Sequence, residues 1–182
     1  MDTRIAKQSE IEIQLRGSTL IVAIKLEVFL MNIIYFSNAQ QYNNPESKSL
    51  KIKHLTFGGK IERAKDLLSK HHPDLLLSSS LLFDKLDGFL KFRNQIAHCV
   101  IFWPNEKVYN LQIWDVVESP NKLQFYAPID FTTKEIKIKI VDYLNQITPP
   151  LIALQNEVQQ RLQRSDPEVF AVLSSATSTD DK

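Results

Sequence analysis

The segment STLIVAIKLEVFLMNIIYF, residues 18–36, constrains the fold more than any other part of the chain. It is apolar and long enough to span a lipid bilayer. Lys25, Glu27 and Asn32 interrupt it near its middle, however, and each of these side chains is costly at bilayer depth. The segment therefore predicts a long helix, from about residue 9 to residue 38, that is buried in the core of a soluble protein.

Apolar residues keep helical spacing to about residue 107, and the chain has only four glycines. The spacing predicts a second helix from near residue 58 to the HHPD sequence at 71–74, which should end it. A central helix is expected over residues 75–102. A last helix is expected over residues 134–163, with the TPP sequence at 148–150 kinking or dividing it.

Residues 107–129 depart from the helical pattern. The runs KVYNLQIWDVV and KLQFYAPI are rich in β-branched and aromatic residues, and ESPN between them supplies turn residues. These runs predict a β-hairpin after the central helix. We expect a mainly α fold in one domain over residues 1–164, followed by a polar, flexible tail at 165–182.

Net charge and cysteine content limit the classes of partner and compartment. A formal net charge of +1 gives no global attraction to nucleic acid or to a membrane, so an anionic partner would need a local basic patch. The single cysteine, Cys99, cannot form an internal disulfide, which suits a reducing compartment. The first 17 residues lack the features of a signal peptide. We therefore expect a cytoplasmic protein with no membrane partner.

Two short signals for a cofactor or a metal fail on their spacing. TFGGKI, residues 56–61, has adjacent glycines and a lysine but lacks the spacing and the Ser or Thr of a phosphate-binding loop. His71 and His72 stand beside Asp74, but the ligand spacings of zinc sites are absent. The sequence predicts no metal site and no cofactor.

Glu27 and a basic stretch are the first candidates for functional charge. Glu27 lies on an apolar helix face, which is costly for a carboxylate unless it has a cationic partner, and Arg93 is the best candidate for that partner. Such a pair is compatible with a structural role and with a supporting role in a site. The stretch of residues 48–65 is either a solvated face or a track for a phosphate backbone, with Lys53, Lys60 and Arg63 as candidate RNA-binding residues.

FRNQIAHCV, residues 92–100, is the strongest signal. Asn94 and His98 are four residues apart and share a helix face. Arg93 and His98 are about 140° apart around the helix, so they would flank a groove. The pattern permits two interpretations: a structural Arg93–Glu27 pair with a core histidine, or a functional site.

RNQIAH, residues 93–98, resembles the Arg-X4-His motif of HEPN domains (higher eukaryotes and prokaryotes nucleotide-binding). The resemblance extends over residues 10–102, because a long apolar helix and a GGKI…LL helix precede the motif helix. It implies an antiparallel helical bundle that forms a homodimer through the motif helices. Active members of the family are metal-independent endoribonucleases in which the 2′-hydroxyl of the RNA is the nucleophile.

The resemblance implies a role for each motif residue. His98 would transfer protons near neutral pH, Arg93 would bind the phosphate, and Asn94 would orient His98 or the phosphate. RNA is the expected partner, with an antitoxin protein as a further one if the chain is a toxin or a defence factor. Some family toxins carry a tyrosine two residues after the histidine, whereas this chain has Val100 there. The alternative is a non-catalytic HEPN-like dimerisation module.

Overall fold

A computed structural model of the chain is mainly α-helical, as the sequence predicts. It describes the backbone of residues 3–39, 54–98, 100–102, 110–114, 116–119, 122–125 and 129–177, and the side chains within 6–39, 54–97 and 134–175. The helices in this part are α1 (Thr3–Ser37), α2 (Phe57–His71), α3 (Pro73–Ser78), α4 (Ser80–His98), α5 (Thr133–Ser165) and α6 (Pro167–Thr177). The strands are β1 (Val100–Phe102), β2 (Asn110–Trp114), β3 (Val116–Ser119), β4 (Lys122–Phe125) and β5 (Ile129–Thr132).

Helix α1 includes the long apolar segment and has the side-chain distribution of a core helix along one face. Leu26, Leu30 and Ile33 are fully buried. In the part of the chain that was searched, residues 6–37 are the only helix long and apolar enough to cross a membrane, with a mean hydropathy of 1.9 in its most apolar window. Because buried helices of soluble proteins pass the same test, this result does not by itself indicate a membrane span.

Helices α2 to α4 follow the predicted order but differ at their ends. Thr56 caps α2 by accepting a hydrogen bond from the backbone N–H of Gly59 at 3.2 Å. The central helix predicted over residues 75–102 is two helices that meet at Ser79. Three successive serines lie there, and the Ser78 hydroxyl donates to the Leu75 carbonyl at 3.1 Å, a local bond that competes with helix continuation.

The region after α4 contains strands, but not the single hairpin predicted for residues 107–129. Strands β1, β2 and β5 form an antiparallel sheet in the order β1-β2-β5, with Ile101 opposite Ile113. Strands β3 and β4 form a separate antiparallel pair, with Glu118 opposite Leu123. The predicted first strand is thus divided between β2 and β3. A lone two-stranded hairpin is marginal, whereas β2 has partners on both of its edges.

The C-terminal third is helical almost to its end. Helix α5 continues through Pro149 and Pro150 and is not divided there. Both prolines lie on its exposed side, where the carbonyl groups they leave without donors can bind water. The tail predicted to be flexible contains α6, which the sequence reading missed. Asp166 caps α6 by accepting from the N–H of Val169 at 3.1 Å, and Val169 is buried.

The chain contains two compact units. Unit 1 comprises Met1–Ile24 and Gly88–Asn145, and unit 2 comprises Lys25–Asp87 and Gln146–Lys182. Helices α1, α4 and α5 each contribute residues to both units, so the single domain expected over residues 1–164 stays a prediction.

Candidate functional site

The second half of the motif helix α4 is fixed in unit 1 by aromatic packing against α5. Phe89 and Phe92 are buried, and their ring centroids lie 5.4 and 5.5 Å from that of Tyr143. Lys139 places its ammonium group 5.2 Å from the centre of the Phe92 ring. Burial raises the pKa of Tyr143. Since this packing and the buried Ile96 anchor one side of α4, the rotation of the helix is set.

Arg93 and Asn94 lie on the less buried part of the same helix. Arg93 is half-buried and Asn94 is exposed. Nη1 of Arg93 donates to Oδ1 of Asn94 at 3.0 Å, and Arg93 has no ion pair within the described part of the chain. Helix α4 ends at His98, whose side chain lies outside the described residues. The backbone alone places Asn94 and His98 one turn apart on the same face, as the sequence predicts.

A groove runs beside Arg93 within unit 1. Its volume is about 400 Å³, and its lining is mostly apolar. Helix α1 contributes Ile13, Gly17 and Leu20, and α4 contributes Arg93 and Ile96. The guanidinium group of Arg93 therefore borders an apolar surface depression that is open to solvent.

Arg16 was missed by the sequence reading, although it connects α1 to the end of the motif helix. Its Nη1 donates to the backbone carbonyl of Ala97, the residue before His98. Its Nε and Nη2 donate to Oε1 of Glu12 at 3.0 and 2.7 Å. The four-residue spacing of Glu12 and Arg16 was a visible signal of an ion pair on α1, but it did not indicate the contact with α4.

The predicted pair of Glu27 and Arg93 is wrong. Glu27 instead accepts a hydrogen bond from Nζ of Lys60, on α2, and the two residues belong to unit 2. The physical requirement was correct, because the carboxylate on the apolar face of α1 does have a cationic partner. Glu27 is held by Lys60 within unit 2, so no contact with Arg93 supports its suggested role in the site, which stays a prediction.

Two of the three candidate RNA-binding residues of the stretch at 48–65 are paired with carboxylates in the described structure. Lys60 is only 4% exposed and is paired with Glu27, so its ammonium group is not presented to solvent, and its RNA-binding role stays a prediction without structural support. Arg63 pairs with Asp66 at 2.8 Å. Lys53 lies outside the described residues. Lys60 and Arg63 therefore both form ion pairs with residues of the same chain.

The carboxylate that follows the His71–His72 sequence, that of Asp74, is bound by an arginine. Asp74 accepts two hydrogen bonds from Arg161, at 2.9 and 2.6 Å, which lower the pKa of Asp74 to about 2. The pKa of His72 is lowered, chiefly by burial. No group of three or more His, Cys, Asp or Glu side chains that could hold a metal ion occurs among the residues described.

Comparison of the chain with protein-family models, curated proteins and solved structures finds no match in any of the three. The interpretation of the site therefore rests on the residues of this chain. They are Arg93 and Asn94 in contact with each other, His98 at the end of the same helix, and the apolar groove that Arg93 borders.

Proposed function

We propose that the chain is a metal-independent endoribonuclease of the HEPN type that acts as a homodimer. The observation that supports this most strongly is the environment of Arg93. Lys60, Arg63 and Arg161 are paired with carboxylates, whereas the hydrogen bond of the Arg93 side chain in the described structure goes to the neutral Asn94. A guanidinium group that borders a groove and has no carboxylate partner in the described structure is suited to binding an anion such as a phosphodiester.

The proposed reaction is attack by the RNA 2′-hydroxyl on the adjacent phosphorus. A base removes the hydroxyl proton while an acid protonates the departing 5′-oxygen. The products are a 2′,3′-cyclic phosphate and a 5′-hydroxyl end. Arg93 binds a non-bridging oxygen and stabilises the charge that develops on it. Asn94, bonded to Arg93, orients the guanidinium group or the phosphate, and His98 transfers a proton.

The need for both a base and an acid is one reason for a dimer. One chain supplies a single His98, and a second copy would bring another to the same cleft. The structure offers a surface for such a copy in unit 1: the α1 apolar face, formed by Ile13, Leu20, Ile21 and Ile24 around Gly17. All four large side chains are exposed, Leu20 by 48%. This face is continuous with the groove that Arg93 borders.

Cleavage of RNA in EDTA by the purified protein tests the catalytic assignment. We expect the wild type to cleave and to leave 2′,3′-cyclic phosphate ends, and we expect Arg93→Ala and His98→Ala each to lower the rate by at least about 10²-fold. His54→Ala is the matched control, because His54 is exposed and lies outside the motif. Equal cleavage by wild type and His98→Ala, or none by either, would remove the assignment.

Mixing experiments test whether the cleft needs two chains. If both copies contribute to one cleft, adding excess His98→Ala chain should lower the activity per wild-type chain in proportion to the wild-type fraction. The control is His98→Ala combined with Leu20→Glu, which should not dimerise and should not inhibit. Unchanged activity per wild-type chain with both additions would indicate that each motif acts alone.

The proposed biological role is that of a cytoplasmic toxin or defence factor with an antitoxin protein as its partner. The ion pair between Glu27 and Lys60 and the buried residues beside it on α1 favour a soluble protein over a membrane-spanning one. Induced expression should arrest growth for the wild type and not for His98→Ala. Arrest by both variants would contradict a role that depends on cleavage.

A non-catalytic dimerisation module is the second candidate, and the exposed α1 apolar face is the observation that favours it. A module of this kind would cleave no RNA and would keep its dimer mass in the His98→Ala variant.

A further inference from the structure

The end of the motif helix receives a hydrogen bond from outside the Arg-X4-His motif. An α-helix leaves its last four carbonyl groups without an intrahelical donor. Helix α4 ends at His98, so the carbonyl of Ala97 is one of these groups. Nη1 of Arg16, on α1, donates to this carbonyl. A cationic donor at a helix C-terminus also interacts favourably with the helix dipole.

Glu12 fixes the orientation of the Arg16 side chain. Oε1 of Glu12 accepts from both Nε and Nη2 of Arg16, at 3.0 and 2.7 Å. Because the guanidinium group is planar and rigid, holding Nε and Nη2 also determines where Nη1 points. A lysine at this position could not make the three contacts, since its ammonium group lacks the planar arrangement of donors.

The bond to Ala97 acts directly on the backbone of His98. The carbonyl of Ala97 and the amide nitrogen of His98 belong to the same planar peptide unit. Restraining the oxygen atom of that unit therefore restrains the backbone from which the His98 side chain extends. Arg16 also lines the groove that Arg93 borders, so the two arginines share one local environment.

We propose that Arg16, oriented by Glu12, is a positioning residue that holds the backbone of His98 in place for RNA cleavage. This inference rests on the proposed ribonuclease function. Arg16 acts through the peptide unit of Ala97 and His98, so its loss displaces the histidine without removing a group that touches RNA. A displacement of about 1 Å can lower a rate by about 10²-fold. Loss of Arg16 therefore lowers kcat and leaves KM unchanged.

The test compares Arg16→Ala, Arg16→Lys and Glu12→Gln with Arg161→Ala as the matched control. Arg161 pairs with Glu157 four residues earlier and also contacts another helix, through Asp74, but it makes no hydrogen bond to the motif helix. We expect Arg16→Ala to lower kcat by about 10- to 100-fold with KM within twofold of the wild type. Arg16→Lys should recover part of the rate, Glu12→Gln should lie between, and Arg161→Ala should keep the wild-type kcat.

Hydrogen exchange provides a second measurement that does not depend on activity. The amides of residues 94–98 should exchange faster in Arg16→Ala and Glu12→Gln than in the wild type, and at the wild-type rate in Arg161→Ala. A wild-type kcat in Arg16→Ala, or a raised KM with unchanged kcat, would overturn the inference. If the wild type cleaves no RNA, the proposed function fails, and exchange alone then decides: unchanged exchange in Arg16→Ala overturns the restraint at His98, and faster exchange supports it.

Discussion

Substitutions in the ion pair between Glu27 and Lys60 test the packing of unit 2, because the two partners differ in burial and should therefore differ in the free energy that their loss costs. The Lys60 side chain is 5% exposed and that of Glu27 is 27% exposed. Lysine is among the residues least often buried without a partner. Removing one partner of a buried ion pair costs about 3–5 kcal/mol, because the other charge is left unpaired away from water.

The difference in burial predicts an order of effects on the free energy of unfolding. Glu27→Gln leaves the buried ammonium group of Lys60 without a carboxylate, so we expect a loss near the lower bound of that range, about 3 kcal/mol. Lys60→Met leaves a carboxylate that can regain some water, so we expect about 1–3 kcal/mol. Glu27→Leu combined with Lys60→Met should be close to neutral, since apolar replacement of a buried pair leaves no unpaired charge.

Urea unfolding followed by circular dichroism measures these differences, with the m-value checked for each variant. Arg93→Ala is the control, because Arg93 contacts a neutral side chain and should cost less than about 0.5 kcal/mol. Single changes at Glu27 and Lys60 that each cost less than about 0.5 kcal/mol would refute the reasoning. The reasoning would also be refuted if Arg93→Ala lowered the free energy of unfolding as much as Lys60→Met does. Such a result would indicate that Arg93 pairs with a buried acid.

Three further predictions concern other parts of the chain. The hydrogen bonds from Arg161 lower the folded-state pKa of Asp74 to about 2. The ionised Asp74 side chain therefore stabilises the fold above about pH 4, and this stabilisation is lost as the pH falls toward 2. The difference in Tm between the wild type and Asp74→Asn should close over that range. Phe89→Ala should cost about 3–5 kcal/mol in urea unfolding, because the ring is fully buried. Leu20→Glu and Ile24→Glu should give monomers in sedimentation, with a Tm that does not depend on protein concentration. A dimer mass in both variants would show that the α1 apolar face is not the dimer surface.

The sequence was informative wherever burial follows a periodic pattern. The apolar spacing predicted α1 and the start of α2. It did not separate α3 from α4, because the apolar spacing runs on across Ser79 while the break depends on local serine hydrogen bonds. The pairing of strands beyond α4 was also not predictable from the two runs alone, because β2 has partners that lie outside the expected hairpin.

The errors at the charged residues have a different origin. A carboxylate on an apolar face predicts that a cation is nearby, but it does not say which one. The signal that would have identified Lys60 was nevertheless present: together with Phe57, Ala64 and Leu68 it continues the apolar stripe of α2 at three- and four-residue spacing. A lysine in such a stripe is directed into the core, so it should have been separated from the basic stretch around it.

The contrast between cations that have a carboxylate partner and Arg93, which bonds to Asn94, supports the candidate site more strongly than the spacing of the motif does. Lys60 and Arg161 each hold elements of unit 2 together through carboxylates, and a guanidinium group that lacks such a partner contributes little to the fold in this way. Arg93 contacts Asn94 and borders an open apolar groove. Its guanidinium group therefore has donors available to an anion, and a phosphodiester matches the two-donor geometry of that group. A carboxylate brought to Arg93 by a second copy would satisfy the same requirement without catalysis, which is why RNA cleavage and dimer mass must be measured on the same variants.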